Sequence, residues 1–237
     1  MSSIQSVPRQ AVAGTKFDAT RFLLTCGVIA GPIYVIVGTF QIFIRPGFDM
    51  SRHALSLMSN GPLGWIQISN FIVTGVLILA CAIGMRRALY PGKACTWGPI
   101  LLFVYGLGLI GAGIFIADPA LGFPPGTPDD KVSISLPGIL HFFSGAVGFF
   151  GLIAACFVFT RRFFAFGLPG WGWFSLASGI LFLASFMGVA SGAGKPILIV
   201  AFYLGVALAW TWISAVSLLI MRQPHHEGNV GGIGRLR

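Results

Sequence analysis

The sequence predicts an all-α fold: a polytopic membrane protein whose six transmembrane helices form one bundle, with a short interfacial helix in the first outer loop. Three observations carry this. Hydrophobic types make up 56% of the 237 residues and charged types only 9%, far short of the roughly 25% found in water-exposed domains. Six apolar runs are each long enough to cross the hydrocarbon core, which takes about 20 helical residues. Finally, the basic residues fall between these runs with alternating density, as topology signals do.

The runs are 22–44, 65–85, 97–117, 138–160, 171–190 and 196–221. Trp65, Trp97 and Trp171 each open a span, where amphipathic aromatics mark the interface. Together the runs make a transmembrane domain over residues 21–222. The polar, aperiodic tails 1–20 and 223–237 are expected to be disordered. The pair His225-His226 in the second tail is too few ligands for a metal site.

Orientation follows from Lys and Arg. With the N-terminus inside, the inner segments hold eleven basic residues, including Arg86, Arg87, Arg161 and Arg162. The outer loops hold four, Arg45, Arg52, Lys131 and Lys195. The positive-inside rule therefore puts both termini in the cytoplasm. The net charge of +9 does not point to nucleic acid, because the basic residues are dispersed between spans. Cys26, Cys81, Cys95 and Cys156 fall toward the reducing side and are expected as free thiols.

The outer loops carry the chemistry-bearing residues. Met50 to Ser59 has a helical pattern: Met50, Ala54, Leu55, Leu57 and Met58 on one side, Arg52, His53, Ser56 and Ser59 on the other. Asp49 suits an N-cap and Gly61-Pro62 a stop. The segment 118–131, with four prolines and Asp129-Asp130, reads as a semi-rigid lid. Asp129 and Asp130 read as a solvated acidic tip rather than as metal ligands.

Polar residues also lie inside the outer halves of four spans. They are Gln41 before Arg45, Gln67 and Asn70 at i,i+3, Asp118, and His141 and Ser144 at i,i+3. Facing lipid they would be costly, so they are expected to face one another or a wet cavity. The expected ligand-binding set is Gln41, Arg45, Asp49, Arg52, Gln67, Asn70, Asp118, His141 and Ser144, with Arg45 and Asp118 as a charged rim. The alternative is a purely structural network, Asp118 pairing with Arg45 or His141.

The runs Cys26-Gly-Val-Ile-Ala-Gly-Pro, Arg45-Pro-Gly-Phe-Asp, His53-Ala-Leu-Ser-Leu and Gly61-Pro-Leu-Gly-Trp-Ile-Gln-Ile-Ser-Asn-Phe are more specific. With Asp118-Pro-Ala-Leu-Gly-Phe-Pro-Pro-Gly and His141, they make a pattern over roughly residues 20–220. The pattern resembles the bacterial membrane-protein family known as domain of unknown function 998. The resemblance implies a six-helix membrane protein and no particular activity.

Three functions fit the residues. The first is binding or transport of a small amphiphile or lipid headgroup in an outward-facing polar pocket, with Arg45 on an anion and Asp118 and His141 orienting it. The second is an intramembrane lipid or amide hydrolase, with Asp118, His141, His53 and Ser56 as candidate catalytic residues. Against it, no HxxxH or HExxH pair stands on any helix, and neither a metal nor a cofactor is expected. The third is a non-catalytic assembly protein, for which Gly27/Gly31, Gly106/Gly108/Gly111/Gly113 and Gly145/Gly148/Gly151 would permit close helix contact. The partners expected are membrane lipids, a small-molecule or lipid ligand at the outer face, and a second copy of the chain.

Overall fold

The computed structural model describes residues 18–129, 134–191 and 195–223. The terminal tails, including His225-His226, and the loop residues Asp130 and Lys131 lie outside the described residues. Six α-helices are long and apolar enough to cross a membrane: α1 (Ala19–Ile44), α2 (Gly64–Leu89), α3 (Trp97–Ile114), α4 (Leu136–Ala165), α5 (Pro169–Ala190) and α6 (Pro196–Arg222). Among the described residues there is no strand. The shortest helix, α3, has 18 residues, about 27 Å at 1.5 Å per residue. That nearly matches a hydrocarbon core of about 30 Å.

Each helix packs on the next, and α6 returns to α1, so the six form a closed ring. The chain termini and the short α2–α3 and α4–α5 connections lie at one end, the terminal end. The loops α1–α2, α3–α4 and α5–α6 lie at the other, the loop end.

Local chemistry explains the boundaries. The Asp18 carboxylate accepts from the N–H groups of Thr20 and Arg21 at 3.0 and 3.1 Å and so caps α1. Pro137, Pro169 and Pro196 stand in the first turns of α4, α5 and α6, where a missing N–H costs nothing. At the end of α4, Gly167 takes φ +68°. The Gly167 N–H then reaches the Phe164 carbonyl, and the Leu168 N–H the Phe163 carbonyl at 2.9 Å. This Schellman turn satisfies the helix's last carbonyls.

Close helix approach depends on small residues at named points. A Cβ on Gly108 would stand 2.6 Å from the Gly148 Cα, so α3 and α4 meet backbone to backbone there. At the terminal end Gly27 lets α1 lie against Cys81 of α2 and Ser217 of α6, whose Sγ and Oγ are 3.3 Å apart. Below mid-bundle the ring is filled by Trp210, Trp212, Phe159, Phe163, Ile78 and Met85, all essentially unexposed. Outward-facing Phe43, Ile36, Phe143 and Leu204 are 63–81% exposed, as lipid contact requires.

Three local expectations are corrected. The first outer loop is not an α-helix over Met50–Ser59: it makes a tight turn at 49–52 and then a 3-10 helix, Leu55–Ser59. Its polar side is not uniformly wet either, since His53 and Ser59 are 2% and 3% exposed. The competing factor is side-chain to backbone bonding by Asp49 and His53, described below. Secondly, α3 stops at Ile114 rather than 117. Phe115 is extended, which carries the Ala117 carbonyl to Asn60 Nδ2 at 2.9 Å. Thirdly, Trp171 packs inward on Phe163, with ring centroids 6.0 Å apart, and Trp173 takes the exposed interfacial place at 62%.

Candidate functional site

The loop half of the ring encloses a cavity of about 270 Å³ lined from all six helices. Its wall is mainly aromatic. Phe149 meets Phe186 and Phe202 at centroid distances of 5.1 and 5.8 Å. Tyr34 and Tyr105 lie against Trp210 at 4.8 and 5.6 Å and separate the cavity from the filled core. Phe142 of α4 and Ala190 of α5 both line the cavity and are both exposed, so its mouth opens between these two helices at the loop end. No Asp, Glu, Lys or Arg is among the lining residues.

The roof is the first outer loop, through Ala54, Leu55 and Ser56. His53 holds it in place. The backbone N–H of Asp49 donates to His53 Nδ1 at 2.9 Å, and His53 Nε2 lies 2.9 Å from the Leu121 carbonyl. An amide N–H can only donate and a carbonyl can only accept. The ring is therefore the neutral tautomer with its proton on Nε2. The hydroxyl of Tyr203 on α6 donates to the His53 carbonyl at 2.6 Å. One residue thus ties the roof to the second loop and to a cavity wall.

The second outer loop braces the roof and does not itself cover the cavity: no residue of 118–129 lines it. Ala120 and Phe123 exchange both backbone hydrogen bonds, at 3.1 and 3.0 Å. Between them Leu121 and Gly122 take φ +56° and +81°, the pattern of a type I′ turn. Phe123, 1% exposed, packs with Leu57, Ala117 and Phe48 in a small second core. Arg45 closes that core: its Nη2 donates to the Asn60 carbonyl, and its guanidinium lies 5.3 Å from the Phe123 ring. Burial pushes the Arg45 guanidinium below its usual value.

His141 stands on the cavity wall at the broken end of α3. Its Nδ1 lies 2.9 Å from the Ala112 carbonyl and 2.8 Å from the Phe115 carbonyl. Both are acceptors, so Nδ1 carries a proton and satisfies the carbonyls that the early helix end leaves free. Asp118 is committed elsewhere. Its carboxylate accepts from the Ser135 N–H at 2.9 Å and the Ser135 hydroxyl at 2.5 Å, while that hydroxyl accepts from the Gly138 N–H. The two residues form a relay cap on α4.

The remaining residues singled out in the sequence fall into other groups. Gln41, Gln67 and Asn70 form an amide cluster between α1 and α2, at most 4% exposed. Gln41 Nε2 donates to Gln67 Oε1 at 2.8 Å, and Asn70 Nδ2 to the Tyr34 carbonyl at 3.2 Å. Asp49 accepts from the Ser51 hydroxyl and N–H, which hold its carboxyl below the usual range. Arg52 and Asp129 pair at 3.1 Å on the exposed surface. Ser144 turns its Oγ toward Gly111 of α3.

Of the candidate ligand-binding and catalytic residues, His141 and Ser56 line the cavity and the others do not. No hydrogen bond joins Asp118, His141, His53 and Ser56 to one another. Among the described residues no three His, Cys, Asp or Glu side chains come together as a metal-binding group. Arg45 and Asp118 do not pair as a rim.

The aromatic wall had no clear mark in the sequence. Phe182 and Phe186 on α5 and Phe202 and Val206 on α6 have helical spacing, but in a membrane span a lipid-facing stripe and a cavity-facing stripe are equally apolar.

Among curated proteins and among solved structures, nothing matches the chain. A family model described as "Protein of unknown function (DUF998)" matches residues 28–219, a stretch that takes in every lining residue of the cavity. The chain belongs to that family.

Proposed function

We propose that this chain is a bacterial inner-membrane protein with cytoplasmic termini that binds a small amphiphile in the outward-facing half of its helix ring. The single observation carrying this reading is the cavity at the loop end, walled by aromatics and reaching the surface between α4 and α5. A mainly apolar pocket with a few placed polar groups is the usual form of a small-molecule site. The mouth at Phe142 and Ala190 suits a ligand that arrives from the outer leaflet. The eleven-to-four distribution of basic residues supports the orientation.

Gly145 provides the test. It lines the cavity, and a Cβ built on it meets nothing within 4 Å. A side chain can therefore start there without displacing a neighbour, and Gly145→Phe should fill the cavity. Protein purified in mild detergent is extracted with organic solvent and its bound amphiphiles are quantified by mass spectrometry. Wild type is expected to carry one species in stoichiometric amount and Gly145→Phe to lose it. Equal retention by the two proteins, or no enriched species in wild type, would overturn the reading.

A further inference from the structure

We infer that the ligand of this cavity is an uncharged, largely apolar molecule bearing a hydrogen-bond donor such as a hydroxyl, and that His141 Nε2 is the acceptor that recognises it. This deepens the preceding proposal and rests on it. No Asp, Glu, Lys or Arg lines the wall. A phosphate, carboxylate or ammonium group inside would lie unpaired among aromatics, where burying an uncompensated charge is strongly unfavourable. The ligand is therefore neutral.

The polarity of the contact comes from the ring of His141. Its Nδ1 proton is shared between the carbonyls of Ala112 and Phe115. The ring sits edge-on to Phe71, centroids 6.0 Å apart, and the nearby Asp118 carboxylate is occupied by Ser135. Such apolar surroundings favour the neutral imidazole, whose second nitrogen carries a lone pair and no proton. No hydrogen bond engages Nε2 among the described residues. With Nδ1 held against α3, the Nε2 edge is the one left for the cavity. The hydroxyls on the wall do not fix a direction. Those of Ser56 and Tyr105 can turn to donate or accept, that of Tyr34 lies against the Gln67 amide, and that of Tyr203 is already given to the His53 carbonyl. His141 is the lining group with fixed polarity, and it asks for a donor.

The test is photolabelling of the reconstituted full-length protein in nanodiscs. The probes are a diazirine-bearing fatty alcohol, its methyl ether, the matching alkane and the matching fatty acid at neutral pH. Wild type is expected to favour the alcohol over the ether and the alkane by roughly tenfold, with the fatty acid labelling least. His141→Asn places an amide nitrogen where Nδ1 stands, keeping the donor to the α3 carbonyls while withdrawing the acceptor from the Nε2 position, since its Oδ1 falls where the ring Cδ2 stood. It should bring the alcohol to parity with the alkane without lowering alkane labelling. Equal labelling of wild type by alcohol and ether would sink the inference without recourse to any variant. So would an unchanged preference in His141→Asn, or labelling by the fatty acid equal to that by the alcohol. Gly145→Phe should abolish labelling by all four probes. If instead the alkane labels it fully, the cavity itself is not the binding site and the preceding proposal fails.

Discussion

His53 Nε2 donates to the Leu121 carbonyl at 2.9 Å across the two outer loops, 68 residues apart in sequence. The same ring accepts from the Asp49 N–H, and the same residue's carbonyl receives the Tyr203 hydroxyl. The roof of the cavity is thus fixed at three points through one buried side chain and its backbone.

His53→Ala removes both ring contacts and leaves the Leu121 carbonyl and the Asp49 N–H unpaired. Each hydrogen bond contributes about 0.5–1.5 kcal/mol and the buried ring leaves a gap in the small second core, so stability in detergent should fall by roughly 1–3 kcal/mol. Hydrogen exchange should quicken at residues 45–60 and 118–128 while the spans stay protected. Tyr203→Phe should give a smaller loss of about 1 kcal/mol, confined to the first loop. Uniform exchange across the molecule would show that the loops are not a separate unit.

Asp118→Ala should destabilise by about 1–2 kcal/mol, because it removes the carboxylate that orients Ser135 at the start of α4. Ser135→Ala should cost a similar amount. The double variant should cost less than the sum, since both members act in one relay. Additive losses in a double-mutant cycle would break the link between them.

Two glycines that line the cavity, Gly108 on α3 and Gly145 on α4, should respond oppositely. Gly148 lies against Gly108, where a Cβ on the latter meets the Gly148 Cα at 2.6 Å. Gly108→Ala should cost about 1–3 kcal/mol through forced separation of α3 and α4. Gly145→Ala should cost nothing and can gain up to about 1 kcal/mol, as Ala is the better helix residue. Thermal unfolding of the two variants side by side decides this.

Cys95 should be the reactive thiol. The Thr96 hydroxyl, the Gly92 backbone and the nearby Arg86 guanidinium together lower its pKa from the usual thiol value. A lowered pKa means more thiolate at a given pH, so alkylation in the folded protein should reach half its maximal rate below the pH seen after unfolding. By linkage, the stabilisation from this site is present above the ordinary thiol value and is lost as pH falls through the folded value. Arg86→Gln should move the rate profile upward in pH. Cys81 and Cys156, 0% and 2% exposed, should alkylate only on unfolding. Peptide mapping after timed iodoacetamide treatment reads each site.

Asp129→Cys should label with a membrane-impermeant maleimide from outside intact cells. Asp129 is exposed and its pair with Arg52 is a surface one, so the change should cost less than about 1 kcal/mol. Labelling that requires permeabilised cells would invert the assigned orientation.

The sequence by itself determined the number of spans and their approximate ends. Span existence depends on a local sum, apolar residues against a hydrocarbon thickness, and Phe22–Ile44 or Trp65–Met85 meet it without reference to any neighbour. It also picked out Gln41, Gln67, Asn70, Asp118 and His141 as side chains that could not face lipid. It could not sort them, because one turn of helix places a group at a depth and leaves its direction open. The tertiary structure decided that the amides face each other between α1 and α2, that Asp118 turns to Ser135, and that His141 turns to the end of α3. The roof of the cavity was equally hidden. Met50–Ser59 has a helical period, but the His53 contacts to Leu121 and Tyr203 join segments distant in the chain and override it. The aromatic cavity was the least legible feature of all, since the membrane makes the inside and outside of a helix ring alike in hydrophobicity, and only packing separates them.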